Sequence, residues 1–331
     1  VSRPAKRFFT HVHPRVLPRA ALAWRRTYGL GGLAVLLTIV TGGTGVLLTL
    51  YYEPFSGRAS ESLLRIAYLV PLGWLVRNLH YWAAQILVVV ALLHLVRVLA
   101  RGALRGRKAL NWLVGLGLFV AVVWADFSGY VLRWDLSGRE ALATAGGLTE
   151  RAPVVGSAMT RLLWGGDGAL LRTYFWHCFG IAAVGALALG YHAWRVRRDG
   201  GVARQARRDG ASDRTLVPSV QLVRRELIVS GVALAALAVV STYLDAPVTL
   251  AGQSRAPWFF YPIQLLVARG DPFWLGVVLP LIPLALLAAL PWAPAAWWRR
   301  GASVDHQARD SRLHVVESGE HTEKRRAGGP A

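Results

Sequence analysis

Apolar residues in this chain gather into long unbroken runs, separated by short polar segments. Six runs stand out, at about 30–52, 73–99, 111–132, 171–195, 226–245 and 273–296. Each is long enough, at about 1.5 Å per helical residue, to cross a hydrocarbon core about 30 Å thick. The pattern predicts an all-α membrane protein: a four-helix transmembrane bundle made by the first four runs, plus about two further transmembrane helices. The connection 133–170 is long and carries apolar patches, which predicts an interfacial helix around 155–164. By polarity the chain divides into a basic N-terminus (1–27), the bundle (28–200), a basic linker (201–225), a two-helix part (226–299) and a polar, disordered tail (300–331).

Charge sharpens this topology. The chain carries 38 Lys and Arg against 18 Asp and Glu, a net charge of +20. A surface for nucleic acid would show one basic face. Here the basic residues sit instead in alternate connections: Arg3, Lys6, Arg7, Arg15, Arg19, Arg25 and Arg26 before the first span, Arg101, Arg105, Arg107 and Lys108 after the second, 195–225 after the fourth, and Arg299 and Arg300 after the sixth. With six spans these regions share one side, the cytoplasmic side by the positive-inside rule. Both termini are then cytoplasmic, the membrane is a bacterial inner membrane, and no nucleic-acid partner is expected. The 14 Trp cluster near the run ends, where an amphipathic ring suits the headgroup level. The single cysteine, Cys178, excludes a disulfide framework and a Cys-x-x-Cys-His haem attachment. The first 27 residues lack an apolar core, so no cleavable signal peptide is expected.

Four of the nine histidines lie inside spans: His80 and His94 in the second, His177 and His192 in the fourth. The other five, His11, His13, His306, His314 and His321, lie in the termini and read as solvated. Ionisable side chains within a bilayer are costly and point to function. His80 and His94 are 14 residues apart and His177 and His192 are 15 apart. On a regular helix those steps return to within about 40° and about 60° of one face, some 21–22 Å along the axis. The two spans run in the same direction, so His80 pairs in depth with His177 near the outer face, and His94 with His192 near the inner face. Two facing imidazoles suit the axial positions of haem iron. Zinc would require three or four ligands, and no Cys, Asp or Glu accompanies either pair. Polar helix–helix pairing is the structural alternative.

Glycines repeat the interval. Gly31 and Gly45 in the first span, and Gly115 and Gly129 in the third, are each 14 apart. A flat macrocycle between helices needs close backbone approach, which glycine permits; helix–helix contact is the alternative use of small residues. Arg77 precedes His80 by one turn on the outer side, and Arg97 follows His94 by one turn on the inner side. Each is placed to pair with haem propionates or to reach the interface.

These residues resemble the cytochrome b/b6 family. The resemblance rests on Tyr28-Gly29-Leu30-Gly31-Gly32, Thr44-Gly45, Tyr51-Tyr52-Glu53-Pro54, Gly73-Trp74-Leu75-Val76-Arg77-Asn78-Leu79-His80, His94-Leu95-Val96-Arg97, Trp112 with Gly115, Gly129-Tyr130-Val131-Leu132 with Trp134, and Arg172 five residues before His177. It covers about 25–200, and the 15-residue step to His192 is similar to the branch found in chloroplasts and their bacterial relatives. It implies two non-covalent b-type haems: a low-potential one on His80 and His177, and a high-potential one on His94 and His192. It also implies quinol and quinone as substrates, a Rieske-type iron–sulfur protein and a c-type cytochrome or other redox subunits as partners, and a homodimer within a larger respiratory complex. The family's cysteine for an additional covalent haem falls at Gly29, so no covalent c-type haem is expected.

The departures fall at the outer quinol site. Ala256-Pro257-Trp258-Phe259-Phe260-Tyr261-Pro262 aligns with a stretch usually reading Pro-Glu-Trp-Tyr, without the glutamate that the resemblance makes the proton acceptor. Arg133-Trp134-Asp135-Leu136 replaces Pro-Trp-x-Gln. Asp126, one turn inside Gly129, is the candidate replacement acceptor, with a hydrogen bond to a neighbouring element as the alternative; Asp135 is the weaker candidate, expected in water. Two functional readings stay open: a bifurcating quinol-oxidising subunit with its acceptor relocated, and a transmembrane conduit or anchor without bifurcation.

Overall fold

A computed structural model describes residues 16–24, 28–102, 104–166, 168–199, 215–247 and 257–294. Outside them lie the five terminal histidines, Arg25, Arg26, Ala256, most of the 201–225 linker and the 300–331 tail. Among the described residues, six helices are long and apolar enough to cross a membrane: Leu30–Thr49, Gly73–Ala100, Gly106–Leu132, Ala169–Arg198, Val220–Tyr243 and Trp274–Trp292. All six correspond to runs read from the sequence.

In chain order, β1 (Val16–Pro18) precedes α1 (Leu30–Thr49), α2 (Ala59–Tyr68), α3 (Gly73–Ala100), α4 (Ala109–Leu132), α5 (Leu136–Glu150) and α6 (Gly156–Leu163). The fourth span follows as α7 (Ala169–Phe175), a π-turn (Trp176–Gly180) and α8 (Ile181–Arg198). Then come β2 (Leu216–Pro218), α9 (Val220–Tyr243), α10 (Tyr261–Val267), a second π-turn (Trp274–Val278) and α11 (Leu279–Ala289). The first compact unit runs to Ala288; the second begins at Ala289, and its described part is a 3-10 turn at Leu290–Trp292.

Many apolar side chains on the spans face outward, as Ile39, Val46, Val184 and Leu187 do. In lipid such a surface is the stable one, because lipid tails are as apolar as the side chains themselves. What packs inward is small or shared. Leu37 of α1, Ala83, Leu87 and Val90 of α3 and Leu237 of α9 form the main buried cluster, so the fifth span lies against the first two. Threonines 38, 41 and 44 turn their hydroxyls back to the carbonyls of Ala34, Leu37 and Val40, hiding their polarity within α1.

Contacts between spans fix which ends lie together. At one end Tyr52 donates to the Leu132 carbonyl at 2.6 Å. There too, Arg77 and Arg133 both donate to the Pro247 carbonyl, and Asn78 donates to Ser241 O and to Asp245 Oδ1. At the other end Arg195 donates to the Arg107 carbonyl and Trp112 to that of Leu287. There β1 pairs antiparallel with β2, Leu17 opposite Val217. Among the described residues of the first unit, the connections that carry Arg107 and Arg195 therefore share one end of the bundle with β1 and β2.

Three local readings change. The 133–170 connection contains a helix, α6, where one was expected, and also α5, which begins where Asp135 accepts a hydrogen bond from Gly138 N. Asp135 is accordingly buried and paired with Arg133 at 3.2 Å, not in water. The 53–72 connection folds as α2, tied back by Glu53, whose carboxylate meets Arg65 at 2.7 Å and Arg58 at 3.3 Å. The hydrogen bonds from Arg65 and then Arg58 hold the Glu53 carboxyl below the usual carboxylate range. The fifth span begins at Val220, so Arg224, Arg225 and Glu226 are helical.

Candidate functional site

Each intramembrane histidine lies against one of the four spaced glycines. A Cβ built on Gly45 would stand 3.1 Å from His80 Cε1, and one on Gly129 would stand 2.9 Å from His177 Cε1. At the other depth the corresponding distances are 3.4 Å from Gly31 to His94 and 3.0 Å from Gly115 to His192. The glycines thus lie directly against the imidazole rings. Spans one and three supply walls, and spans two and four supply rings.

Near the end read from the charge pattern as the outer one, the His80 and His177 ring centroids are 6.2 Å apart. An iron bound by two imidazole nitrogens at about 2.0 Å places the ring centres roughly 6.3 Å apart, so one iron fits between them. Among the described residues no group of three or more His, Cys, Asp and Glu could hold a bare ion. A metal that arrives with its equatorial positions already filled, as in haem, needs only two axial donors.

The protons on these rings are assigned by their partners. His80 Nδ1 lies 3.0 Å from the Thr41 carbonyl and 3.1 Å from Thr44 Oγ1. His177 Nδ1 lies 3.0 Å from both the Ala125 carbonyl and Ser128 Oγ. A carbonyl can only accept, and the two hydroxyl protons are committed to Val40 O and Ala125 O. Nδ1 therefore carries the proton in both rings and Nε2 keeps a free lone pair, the form that ligates metal. At the inner pair Leu30 and Val114 stand where Thr44 and Ser128 stand at the outer pair. Beside His192 the Asn111 carbonyl faces the ring, and no hydroxyl from Val114 joins it.

The fourth span reaches both depths because of its π-turn. Ile181 N–H bonds to Trp176 O, five residues back, so one residue is absorbed without advancing the helix. Fifteen residues then act as fourteen, and His177 and His192 share a face as closely as His80 and His94 do. This replaces the about 60° offset expected of a regular helix. Gly180 makes room: the Trp176 ring lies across it, and any Cβ there would sit 2.3 Å from that ring.

The remaining residues singled out fall as follows. Arg77 is buried at the outer end, one donor on Pro247 O, and Arg97 lies 5.0 Å over the Tyr28 ring at the inner end. Asp126 Oδ1 accepts from Gln85 Nε2 at 2.8 Å, and Gln85 Oε1 accepts from Trp258 Nε1 at 2.8 Å. Phe127 packs edge-on against Trp164 and Phe260. Sequence reasoning had assigned no role to Gln85, Trp258, Thr41, Thr44 or Ser128. Only the hydroxyl residue directly before Gly45 and Gly129 left a readable signal. The Glu226 carboxylate lies over Gly29 and Gly32, 3.2 and 3.0 Å from a built Cβ.

The family model for cytochrome b/b6/petB matches residues 19–194. The cytochromes b6 of Synechococcus elongatus and Acaryochloris marina are each 34% identical to this chain over 177 residues, 52% of this chain and 82% of theirs. The cytochrome b6 of Porphyra purpurea is 33% identical over the same length. Among solved structures, a chain of a hyperthermophilic respiratory Complex III matches with a TM-score of 0.69 and 20% identity, over 88% of this chain and 81% of that one.

Proposed function

The chain belongs to the cytochrome b/b6 family, and from that premise we propose that it is a diheme electron-transfer subunit carrying electrons across a bacterial inner membrane, between quinol or quinone and an iron–sulfur or c-type cytochrome partner. It is a multi-pass membrane protein of a family that binds b-type haem. The single observation carrying the diheme reading is the fourfold repetition of one glycine–histidine contact at two depths. His80 and His177 would hold the outer haem iron, and His94 and His192 the inner one. Arg77 and Arg97 would meet propionates at their respective ends. Each haem would supply a one-electron couple. The chain's own part is to hold the four imidazoles with Nε2 turned inward, to fix the outer tautomer through Thr41, Thr44, Ala125 and Ser128, and to keep water out with apolar walls. No covalent c-type haem is proposed, since Glu226 takes the space beside Gly29. The subunit would act as a homodimer with a Rieske-type protein in an assembly related to respiratory Complex III, with both termini cytoplasmic.

A second reading, a conduit without bifurcation, is favoured by Pro257 standing where the family's glutamate is aligned. Oxidant-induced reduction separates the two. The complex receives quinol with its inner quinone site blocked, then a pulse of oxidant, while b-haem absorbance is followed. Extra reduction is expected for a bifurcating subunit; simple reoxidation supports the conduit. A pyridine haemochrome assay giving fewer than two b haems per chain would overturn the diheme proposal.

A further inference from the structure

Asp126 is a carboxyl group within the third span, one turn from Gly129, on which the His177 ring rests. Its two oxygens differ. Oδ1 is held by Gln85 Nε2, while Oδ2 is buried and without a hydrogen-bond partner. Removing a carboxylate oxygen from water without a partner is costly, so such an oxygen is expected to meet a donor that comes and goes. Gln85, five residues past His80, is oriented in turn by Trp258 Nε1. The aromatic residues beside this chain of bonds are Phe127, Trp164, Phe259 and Phe260, in ring contacts at 4.9–5.8 Å. Among the described residues, Tyr81 of α3 is a titratable side chain within electrostatic reach of Asp126.

We propose that Asp126 Oδ2 is the proton-accepting contact for a lipid-soluble hydroquinone, with Gln85 and Trp258 as its positioning residues. An aromatic diol satisfies both halves of the site: its ring suits the aromatic side chains and its hydroxyl is the donor that Oδ2 lacks. The step is a proton transfer alone. The quinol O–H bond breaks, an O–H bond forms at Oδ2, and the product is the quinol monoanion with its electron pair retained. Gln85 keeps Oδ1 occupied, so Oδ2 is the oxygen presented. The 257–260 segment then acts through span two, Trp258 to Gln85 to Asp126, in place of a carboxylate of its own.

This assignment rests on the electron-transfer function proposed above, and its test keeps the two apart. The purified complex, carrying its haems, is mixed with duroquinol and an oxidant, and b-haem reduction is followed. Asp126→Asn is nearly isosteric and keeps a partner for Gln85. It is expected to slow quinol-driven reduction at least tenfold while dithionite still gives the full b-haem spectrum. Asp126→Glu is expected to recover part of the rate. Infrared difference spectra on quinol addition should carry a carboxyl C=O change in the wild type that is missing in Asp126→Asn. Gln85→Leu should lower kcat more than it changes KM. Wild-type rates in Asp126→Asn, or an unchanged carboxyl signal, would overturn the assignment. A wild-type complex whose haems are not reduced by quinol at all would overturn the function beneath it, and the assignment with it.

Discussion

At the outer pair of histidines, Thr44 and Ser128 stand directly before Gly45 and Gly129, and each hydroxyl joins a backbone carbonyl on the Nδ1 of the facing ring. At the inner pair Leu30 and Val114 stand in those positions, and neither carries a hydroxyl. The glycine–imidazole contact is common to both depths. The difference separates two tasks that the same residues could be thought to share. Glycine admits the ring, and the hydroxyl with the carbonyl sets its rotation and proton. A hydrogen bond on Nδ1–H also pushes electron density toward Nε2 and so favours the oxidised metal. The outer haem site should therefore have the lower potential, for a reason located in two residues.

The largest effects should come from the feature the pairs share. Gly129→Val and Gly115→Val put branched side chains where even a Cβ stands 2.9 and 3.0 Å from the ring. Each should remove one b haem per chain, the outer and the inner respectively, as read by haemochrome content and low-temperature spectra. Gly31→Ala, whose Cβ would meet His94 at an ordinary 3.4 Å, should keep both. Loss of a haem in Gly31→Ala would show that the four contacts are graded differently from their distances.

Register should be the next largest. Deleting Phe179, whose side chain faces outward, can be absorbed when the π-turn relaxes to a regular turn, so both haems should remain. Deleting the outward-facing Val89 from α3 meets no such reserve, because one residue fewer turns His94 by about 100° from His80. That variant should lose haem. If both deletions behave alike, the π-turn is not what aligns the fourth span.

The hydroxyls give a smaller and signed effect. Ser128→Ala and Thr44→Val should raise the outer potential, and Val114→Ser should lower the inner one. One hydrogen bond contributes about 0.5–1.5 kcal/mol, on the order of 20–65 mV for a one-electron couple at 59 mV per tenfold change. Redox titration at the two haem wavelengths reads both, each pair serving as control for the other.

How much of this was legible depends on how local each signal is. The six spans could be read because lipid imposes one rule along the whole of each run. The histidines and glycines could be read because their interval repeats. The π-turn could not, since a wide turn depends on Trp176 folding over Gly180, and 15 residues alone fit either geometry. Helix α5 was hidden by Gly146 and Gly147, which weaken helix propensity, while its start was marked by the cap at Asp135. The first turns of α9 were hidden by Arg224 and Arg225, which read as linker although they precede Glu226 in the same helix. The Asp126–Gln85–Trp258 chain joins positions 41 and 173 residues apart, and no local pattern announces it.

The smallest effect concerns what covers the outer end. Glu53 binds Arg65 of α2 and Arg58 before it, and both hydrogen bonds favour its charged form. A carboxyl lowered in the folded state adds stability at pH values above its unfolded value, here 4.5, and loses it as the pH falls through the folded value. Acidification below about pH 4.5 should therefore loosen α2 while leaving the spans intact. Glu53 is exposed to solvent, so the loss should be slight and should shrink in high salt. Amide exchange at 59–68 would rise as the pH falls, after correction for the intrinsic pH dependence of exchange, and Glu53→Gln would show the raised exchange at neutral pH. The comparison between the ends adds a control: acid should move the outer haem spectrum before the inner one if α2 helps to shield it. Equal response at both depths would mean that the hydroxyl-bonded outer rings hold their environment without that cover.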